Sequence, residues 1–278
     1  MPELPEVETI ARGLRAPLLG RTVTGVTVHW PRTVAQPAVD EFKARMAGRR
    51  VVAVGRRGKY VVIGLDGGFL LIHLKMSGRL RVVSAEEPAD KHTHTIFHLD
   101  DGRELRFQDV RKFGRVHLVD DPAQVTTALG PEPLDDGFSL AMFRGLLERR
   151  SGRLKSLLMN QEFLAGLGNI YADEALYAAG LHPLRKADSL TAAEQACLYD
   201  SIRRVLGRAV TGRGTTLDDG GYLDAEGRAG AYQEELAVYR RTGEPCRRCG
   251  SPVERMIIGG RSSHFCPSCQ PEVPVRTA

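Results

Sequence analysis

A proline follows the initiator methionine, and Pro2 is a small second residue of the kind that permits removal of Met1 and exposes a secondary amine. An α-amino group has a pKa of about 7.7–8.0, so a useful fraction is neutral near pH 7, unlike a solvated lysine at about 10.4. A neutral amine can attack an electrophilic sugar carbon and pass to an iminium, the Schiff-base form of covalent catalysis. Glu3 beside it is a candidate general acid. Glu6 and Glu8 are further carboxylates, and on a helix Glu3 and Glu6 share a face. The same residues also make an ordinary helix start, with Pro in the first turn and Glu near the positive end of the dipole. On residue types alone, the ordinary helix start is the stronger reading.

Cys246, Cys249, Cys266 and Cys269 form a C-x2-C-x16-C-x2-C pattern. Two close thiolate pairs suit one tetrahedral zinc, and four cysteines leave no open position for water, so the predicted ion is structural. Two disulfides are the alternative, disfavoured in a reducing compartment. Cys197 stands alone in a helical stretch with no histidine near it in sequence, and is expected to be a buried apolar residue. Only seven of the 39 basic residues are lysine. A lysine among so many arginines can mark a need for an ammonium that loses its proton, and Lys59 between Gly58 and Tyr60 is one candidate, though a surface role suits most of the seven. Basic and aromatic residues interleave from Arg106 to Arg115. Such residues can fill the hole left by an everted base, or form a strand with a cationic face. His73, His92, His94 and His98 lack metal-motif spacing and read as structural or phosphate-contacting groups.

The elements that must hold these residues follow from composition and period. The 278 residues are 42% apolar and 26% charged, globular values that argue against wholesale disorder and allow two domains. No run is long enough to cross a bilayer, and the acidic start lacks the apolar core of a secretory signal, so a soluble intracellular protein is expected. The net charge of +5 is mild, but residues 236–278 carry seven Arg against three Glu, a net +4. A basic segment of that kind suits nucleic acid or acidic lipid as well as a solvated face. Glu3 to Leu19 has helical spacing, ended by Gly20. Alternating and apolar runs from Val26 to Phe107, broken at Asp66-Gly67-Gly68 and Asp100-Asp101-Gly102, predict hairpins in a β-sandwich or barrel. After Gly130-Pro131-Glu132-Pro133 the period turns helical, with helices predicted around Leu140–Leu147, over Asn169 to Ala179, and after a Thr191/Glu194 capping box. Six glycines between Gly212 and Gly230 predict a mobile loop.

Taken together, several blocks resemble the family of bacterial formamidopyrimidine-DNA glycosylase and endonuclease VIII. They are Met1-Pro2-Glu3-Leu4-Pro5-Glu6-Val7-Glu8-Thr9, Gly58-Lys59-Tyr60, His73-Leu74-Lys75-Met76-Ser77-Gly78, Lys91-His92-Thr93-His94 and Arg111-Lys112-Phe113-Gly114. Leu129-Gly130-Pro131-Glu132-Pro133-Leu134, Gly166 to Glu174, and Gly259-Gly260-Arg261 through Cys269 complete a match over nearly the whole chain. The resemblance replaces the ordinary reading of the first helix. It implies an α+β protein: an N-terminal helix plus β-sandwich over residues 1–132, a helical domain with a helix–two-turns–helix motif over 133–235, and a zinc ribbon over 236–270.

Its implied activity is a bifunctional glycosylase and abasic-site lyase that removes oxidised purines such as 8-oxoguanine and formamidopyrimidines from duplex DNA. Pro2, Glu3, Lys59 and Arg261 match the family's catalytic positions, with Glu6 and Glu174 supporting. His92, Arg111, Arg150, Lys155 and Asn169 match DNA contacts, and Met76, Arg111 and Phe113 match the triad that fills the gap left by the everted nucleotide. One structural Zn2+, damaged double-stranded DNA as partner, a monomer without an obligate protein partner or membrane contact, and a bacterial cytoplasmic, nucleoid-associated location complete the expectation. Leu4 favours the purine branch over the endonuclease VIII branch, where Gly is usual at that position, and the four catalytic positions argue against a non-catalytic DNA-binding module. Val110 departs from a common Pro, Thr93 from a common Asp, and the stretch from Thr215 to Tyr232, with Asp218-Asp219-Gly220-Gly221, is longer than usual. These departures bear on lesion preference.

Overall fold

Helix α1 spans Leu4–Leu18 in the computed structural model, which describes residues 1–217 and 220–272. Leu4, Val7, Ile10, Ala11, Leu14 and Leu18 fall on one face and are all buried, the stripe expected of a helix lying on a core. Glu3 is the N-cap, and a reciprocal capping box with Glu6 satisfies two of the helix's first N–H groups. Pro5 in the first turn removes no intrahelical hydrogen bond.

Nine strands and one helix follow: β1 (Val23–Val28), β2 (Val34–Gln36), α2 (Val39–Met46), β3 (Val51–Arg57), β4 (Tyr60–Leu65), β5 (Gly68–His73), β6 (Gly78–Ser84), β7 (Thr93–Leu99), β8 (Arg103–Asp109) and β9 (Arg115–Val119). They form a four-stranded sheet in the order β1-β7-β8-β6 and a five-stranded sheet in the order β2-β9-β5-β4-β3. Only β2 and β9 run parallel. The predicted turns at Asp66-Gly67 and Asp100-Asp101-Gly102 connect β4 to β5 and β7 to β8. One core takes Ile63, Leu70 and Val116 from the larger sheet, Phe97, Leu105 and Phe107 from the smaller, and Leu14 from α1. Helix α2, which periodicity did not single out, adds Phe42 and Met46, with Phe42 edge-on to Phe97 at 6.2 Å.

The remaining elements are α3 (Ala123–Thr126), α4 (Leu140–Leu147), α5 (Leu154–Met159), α6 (Asn169–Ala179), α7 (Ala192–Thr211), β10 (Glu254–Ile258) and β11 (Arg261–Phe265). Helix α6 has its predicted bounds, and Gly180 ends it in the left-handed conformation at φ 69°. The Thr191/Glu194 box is present: Thr191 N donates to Glu194 Oε2 at 2.8 Å and Glu194 N to Thr191 Oγ1 at 3.3 Å. Cys197, expected to be buried, is exposed. It sits about 100° round α7 from Leu198, which with Ile202 and Leu206 forms the buried stripe.

The chain divides into two units, Met1–Ala128 with Val210–Gln233, and Leu129–Ala209 with the residues from Glu234 onward. The glycine-rich stretch, assigned from sequence to the helical domain 133–235, therefore clusters with the β-sandwich. Tyr222 and Ala225 are buried in the sandwich core, and Thr215 bonds to α1. Asp218 and Asp219, noted in the sequence, lie outside the described residues. Among those described, no helix is long and apolar enough to cross a membrane.

Candidate functional site

In the first unit the start of α1 encloses a proline and two acids. Pro2 is buried, and Glu3 and Glu6 are 3% and 1% exposed. Glu6 accepts from the Glu3 backbone N–H at 2.7 Å and from the Thr215 N–H at 2.8 Å. The carboxylate thus joins the first turn of α1 to the glycine-rich stretch. Gly214 has φ 76°, and a Cβ there would lie 2.7 Å from Glu6 Oε1, so this close approach requires glycine.

Lys59 occupies the two-residue turn between β3 and β4, where Arg57 pairs with Tyr60, and it is 5% exposed. Glu8 on α1 holds that turn indirectly. Its Oε2 accepts from Arg56 Nε at 3.2 Å, and Arg56 Nη1 donates to the Gly58 carbonyl at 3.1 Å. Burial pushes the Glu8 carboxyl up, but hydrogen bonds and charge from Arg12 and Arg56 outweigh it and leave the group below the usual carboxylate range. Burial and the charges of Lys75 and Lys59 push the His73 imidazole down to about 3. It is neutral at physiological pH, and its Nδ1 accepts from the Lys75 N–H at 3.0 Å.

Two loops of the same unit present the next residues. Met76 lies half-buried between β5 and β6, whereas Arg111 and Phe113 are exposed between β8 and β9. The Arg111 guanidinium lies over the Phe113 ring at 5.1 Å. His92 is half-buried and its carbonyl accepts from the Asp109 N–H at 2.9 Å. His94 and His98 have structural partners, the Asp109 carbonyl at 2.7 Å for His94, Glu104 and Thr27 for His98.

The second unit is organised around α6. Lys155, expected among the DNA contacts, has no exposed surface. Its ammonium donates to the Asn169 carbonyl at 2.8 Å and to Asp173 Oδ1 at 2.7 Å, so its charge is neutralised inside the fold. Asp173 also accepts from Ser263 Oγ at 2.8 Å and His264 N at 2.8 Å, with His264 Nδ1 at 3.1 Å. One buried carboxylate therefore joins α5, α6 and β11. Glu174 accepts three backbone N–H groups, from Ala237, Val238 and Tyr239, at 2.9–3.0 Å. Burial nonetheless raises its pKa. Asn169 opens α6 with a buried side-chain oxygen that has no hydrogen-bond partner among the described residues. Arg150 is exposed just beyond α4. Arg261 is exposed too, as the first residue after the Gly259-Gly260 turn of the β10–β11 hairpin. Both glycines have positive φ, 56° and 74°, as a tight type I′ turn requires.

The four cysteines meet in the ribbon. Their sulfurs all lie within 4.8 Å of one another, with Cys246–Cys269 at 3.8 Å and Cys249–Cys266 at 3.5 Å. Tetrahedral Zn–S bonds of about 2.3 Å require S···S separations of about 3.8 Å, so the four thiolates fit one structural zinc. Tyr177 OH lies 3.3 Å from Cys246 Sγ, and Arg248 donates to the carbonyls of Tyr177 and Ala178 at the end of α6. The zinc ligands are thereby fixed to the helix that begins at Asn169.

Sequence reasoning named Glu8 as a further carboxylate but did not single out Arg56, Ser77, Asp109 or Asp173. Ser77, Asp109 and Asp173 lie inside motif segments that it quoted, but their roles depend on partners distant in the chain.

Comparison with known proteins matches these segments in order. Residues 1–116 match the model of the formamidopyrimidine-DNA glycosylase N-terminal domain, 129–219 that of the formamidopyrimidine-DNA glycosylase H2TH domain, and 243–271 that of a zinc finger found in FPG and IleRS. The chain is 50% identical over 274 residues to a formamidopyrimidine-DNA glycosylase of Herpetosiphon aurantiacus, covering 97% of this chain and all of that one. It is 49% identical over 278 residues to one of Desulforamulus reducens, covering 97% and 99%. Among solved structures, the Fpg protein of Thermus thermophilus superposes with a TM-score of 0.88 at 44% identity, covering 98% of this chain and 100% of that one. A Lactococcus lactis Fpg complexed with DNA containing an abasic site gives 0.90 at 34% identity, covering 97% and 100%.

Proposed function

The chain belongs to the formamidopyrimidine-DNA glycosylase family and is a DNA repair glycosylase, and from that premise we propose that it binds damaged duplex DNA, excises oxidised purines and then cleaves the strand. The observation that carries this reading is the start of α1, where a buried Pro2 precedes two buried carboxylates, one of them fixed by two backbone N–H groups. Once Met1 is removed, the Pro2 amine attacks C1′ of the damaged nucleotide. The N–C1′ bond forms, the glycosidic bond breaks, and the departing base takes a proton. Glu3, adjacent to the nucleophile, supplies a proton to the sugar or leaving base. The proline nitrogen then loses its proton, the C1′–O4′ bond opens with O4′ taking a proton, and the iminium so formed acidifies the C2′ proton. Its loss expels the 3′ phosphate, and a second elimination expels the 5′ phosphate.

Lys59 suits the first elimination because its turn is held to α1 through Arg56 and Glu8. Arg261 suits phosphate binding and the second elimination from its exposed position at the hairpin turn. Exposed Arg111 and Arg150 suit phosphates and bases of the DNA, and the Asn169 side chain at the start of α6 suits a phosphate through its NH2 group. Met76, Arg111 and Phe113 serve as the wedge that occupies the vacated position in the stack. Lys155 acts through Asn169 and Asp173 rather than on a phosphate. The bound zinc rigidifies the ribbon and, with four thiolates, supplies no reactive position.

The test is borohydride trapping. Protein lacking Met1 is expected to form a covalent adduct with a duplex containing 8-oxoguanine opposite cytosine. Protein retaining Met1 gives none, because the proline nitrogen is then a peptide amide. No adduct from processed protein overturns the enzyme reading. Faster excision of thymine glycol than of 8-oxoguanine or formamidopyrimidine overturns the purine preference.

A further inference from the structure

Asp109, the last residue of β8, is buried at the base of the loop bearing Arg111 and Phe113. Its Oδ1 accepts from the Arg111 N–H at 3.1 Å and from Ser77 Oγ at 2.5 Å, and its Oδ2 accepts from the Gly114 N–H at 2.7 Å. Its carbonyl also accepts from the Lys112 N–H at 3.2 Å. Ser77 directly follows Met76, and its Oγ lies 3.1 Å from the Arg111 N–H. One carboxylate therefore ties residues 111–114 of one loop to residue 77 of the other.

The backbone of both loops is held in an unusual state. Lys75 and Lys112 have φ of 53° and 58°, left-handed conformations disfavoured for residues with a side chain. They immediately precede Met76 and Phe113. The Lys112 ammonium lies 4.3 Å over the Trp30 ring, which holds the second loop from its other side. The exposed tip carries two large apolar side chains, Val110 at 63% and Phe113 at 50%, beside the exposed cations Arg111 and Lys112. Apolar side chains on braced loops can enter a base stack without first paying to order themselves.

We propose that Asp109 is the positioning residue that locks the Met76 loop and the Arg111–Phe113 loop into a single wedge, so that base eversion depends on it while the chemistry on the sugar does not. The inference rests on the glycosylase reading above and goes beyond it by assigning a residue that touches neither sugar nor base.

The experiment compares two substrates with the full-length, zinc-loaded protein lacking Met1. A single-stranded oligonucleotide with a preformed abasic site has no stacked base to evert, so borohydride trapping on it reads the chemistry alone. Single-turnover excision of 8-oxoguanine from a duplex reads eversion plus chemistry, and a fluorescent base analogue beside the lesion reports unstacking directly. Asp109→Asn preserves shape but replaces one accepting oxygen with an NH2 group, so Ser77, Arg111 and Gly114 cannot all be served. It is expected to slow duplex excision and the unstacking signal by about ten- to hundredfold, the scale of lost hydrogen bonds to a buried charge. Trapping on the single strand should stay within about twofold of the parent. Ser77→Ala keeps the two backbone bonds to Asp109 and breaks only the bridge. It provides the same comparison if Asp109→Asn does not fold, with an expected loss of about fivefold on the duplex, one neutral partner being removed. Equal losses on both substrates, or duplex rates at the parent level, overturn the proposal. Failure of the parent protein to trap the duplex containing 8-oxoguanine overturns the glycosylase reading itself, which separates the two.

Discussion

Lys155→Met is expected to destabilise the protein without weakening its electrostatic grip on DNA. Lys155 is fully buried, and its ammonium is 2.7 Å from Asp173 Oδ1. With an effective dielectric constant near 20, two unit charges at that distance attract by about 6 kcal/mol gross. Removing the lysine also removes its own desolvation penalty of several kcal/mol, and Asp173 keeps Ser263 and His264 as partners. The net cost therefore falls at the low end of the range for breaking a buried pair, about 3 kcal/mol. Urea unfolding of the zinc-loaded chain measures it. In the double variant Lys155→Met/Asp173→Asn neither buried charge remains, so its loss should fall short of the sum of the singles by about 2 kcal/mol. DNA titrations at several salt concentrations provide the second readout. A lysine on a phosphate contributes about 0.9 to the slope of log K against log salt, so the slope should be unchanged if the charge is neutralised internally. A stability loss below about 1 kcal/mol, or a slope reduced by about one, would refute the reasoning and restore Lys155 to the DNA surface.

Gly214→Ala should cost about 2–4 kcal/mol, because the new Cβ meets Glu6 at 2.7 Å and the residue must keep φ 76°. Gly227→Ala, with positive φ but open space, should cost only about 1–2 kcal/mol, and equal costs in thermal unfolding would remove the role given to the Glu6 contact. Metal analysis of fully reduced protein should find one zinc per chain, and chelation should weaken DNA binding while leaving the far-ultraviolet signal of the β-sandwich largely intact; an active, reduced protein without zinc contradicts the ribbon assignment. The His73 imidazole titrates near 3 when folded and near its ordinary 6.5 when unfolded, so the unfolded chain binds the extra proton between those values and stability falls as pH drops. This residue alone should remove up to about 1.4 kcal/mol per pH unit below about 6.5, and His73→Asn should flatten the acid limb of urea midpoints measured from pH 7.5 to pH 4; an unchanged limb contradicts the shift.

The local features of the fold were legible because they depend on period and on turn chemistry. Val7, Ile10, Ala11, Leu14 and Leu18 mark α1 by spacing alone, the Asp–Gly turns mark two hairpins, and Gly180 ends α6 where expected. Helix α2 escaped notice because an eight-residue amphipathic helix shows scarcely two turns of period, and its Phe42 and Met46 are recognised as core only against Phe97 and its neighbours. The cysteine spacing likewise specified four sulfurs around one ion before any geometry was known, because each C-x2-C turn brings two thiolates together by itself.

What the sequence determined, then, was the inventory: a proline that can become an amine, carboxylates beside it, a zinc ribbon, a basic C-terminal segment and the order of the elements. What only the tertiary structure decided was which charges are neutralised inside the fold. Lys155 and Arg150 are both cations five residues apart, yet one is sealed against Asp173 and the other faces solvent. The glycine-rich stretch joined the sandwich through Thr215 and Tyr222, contacts made to residues some two hundred positions away. Asp173 gained its role by gathering donors from α5 and β11, and Asp109 by gathering donors from two loops. The physical reason is range: backbone propensity and side-chain period act over a few residues, whereas burial of a charge is decided by the groups that packing brings around it.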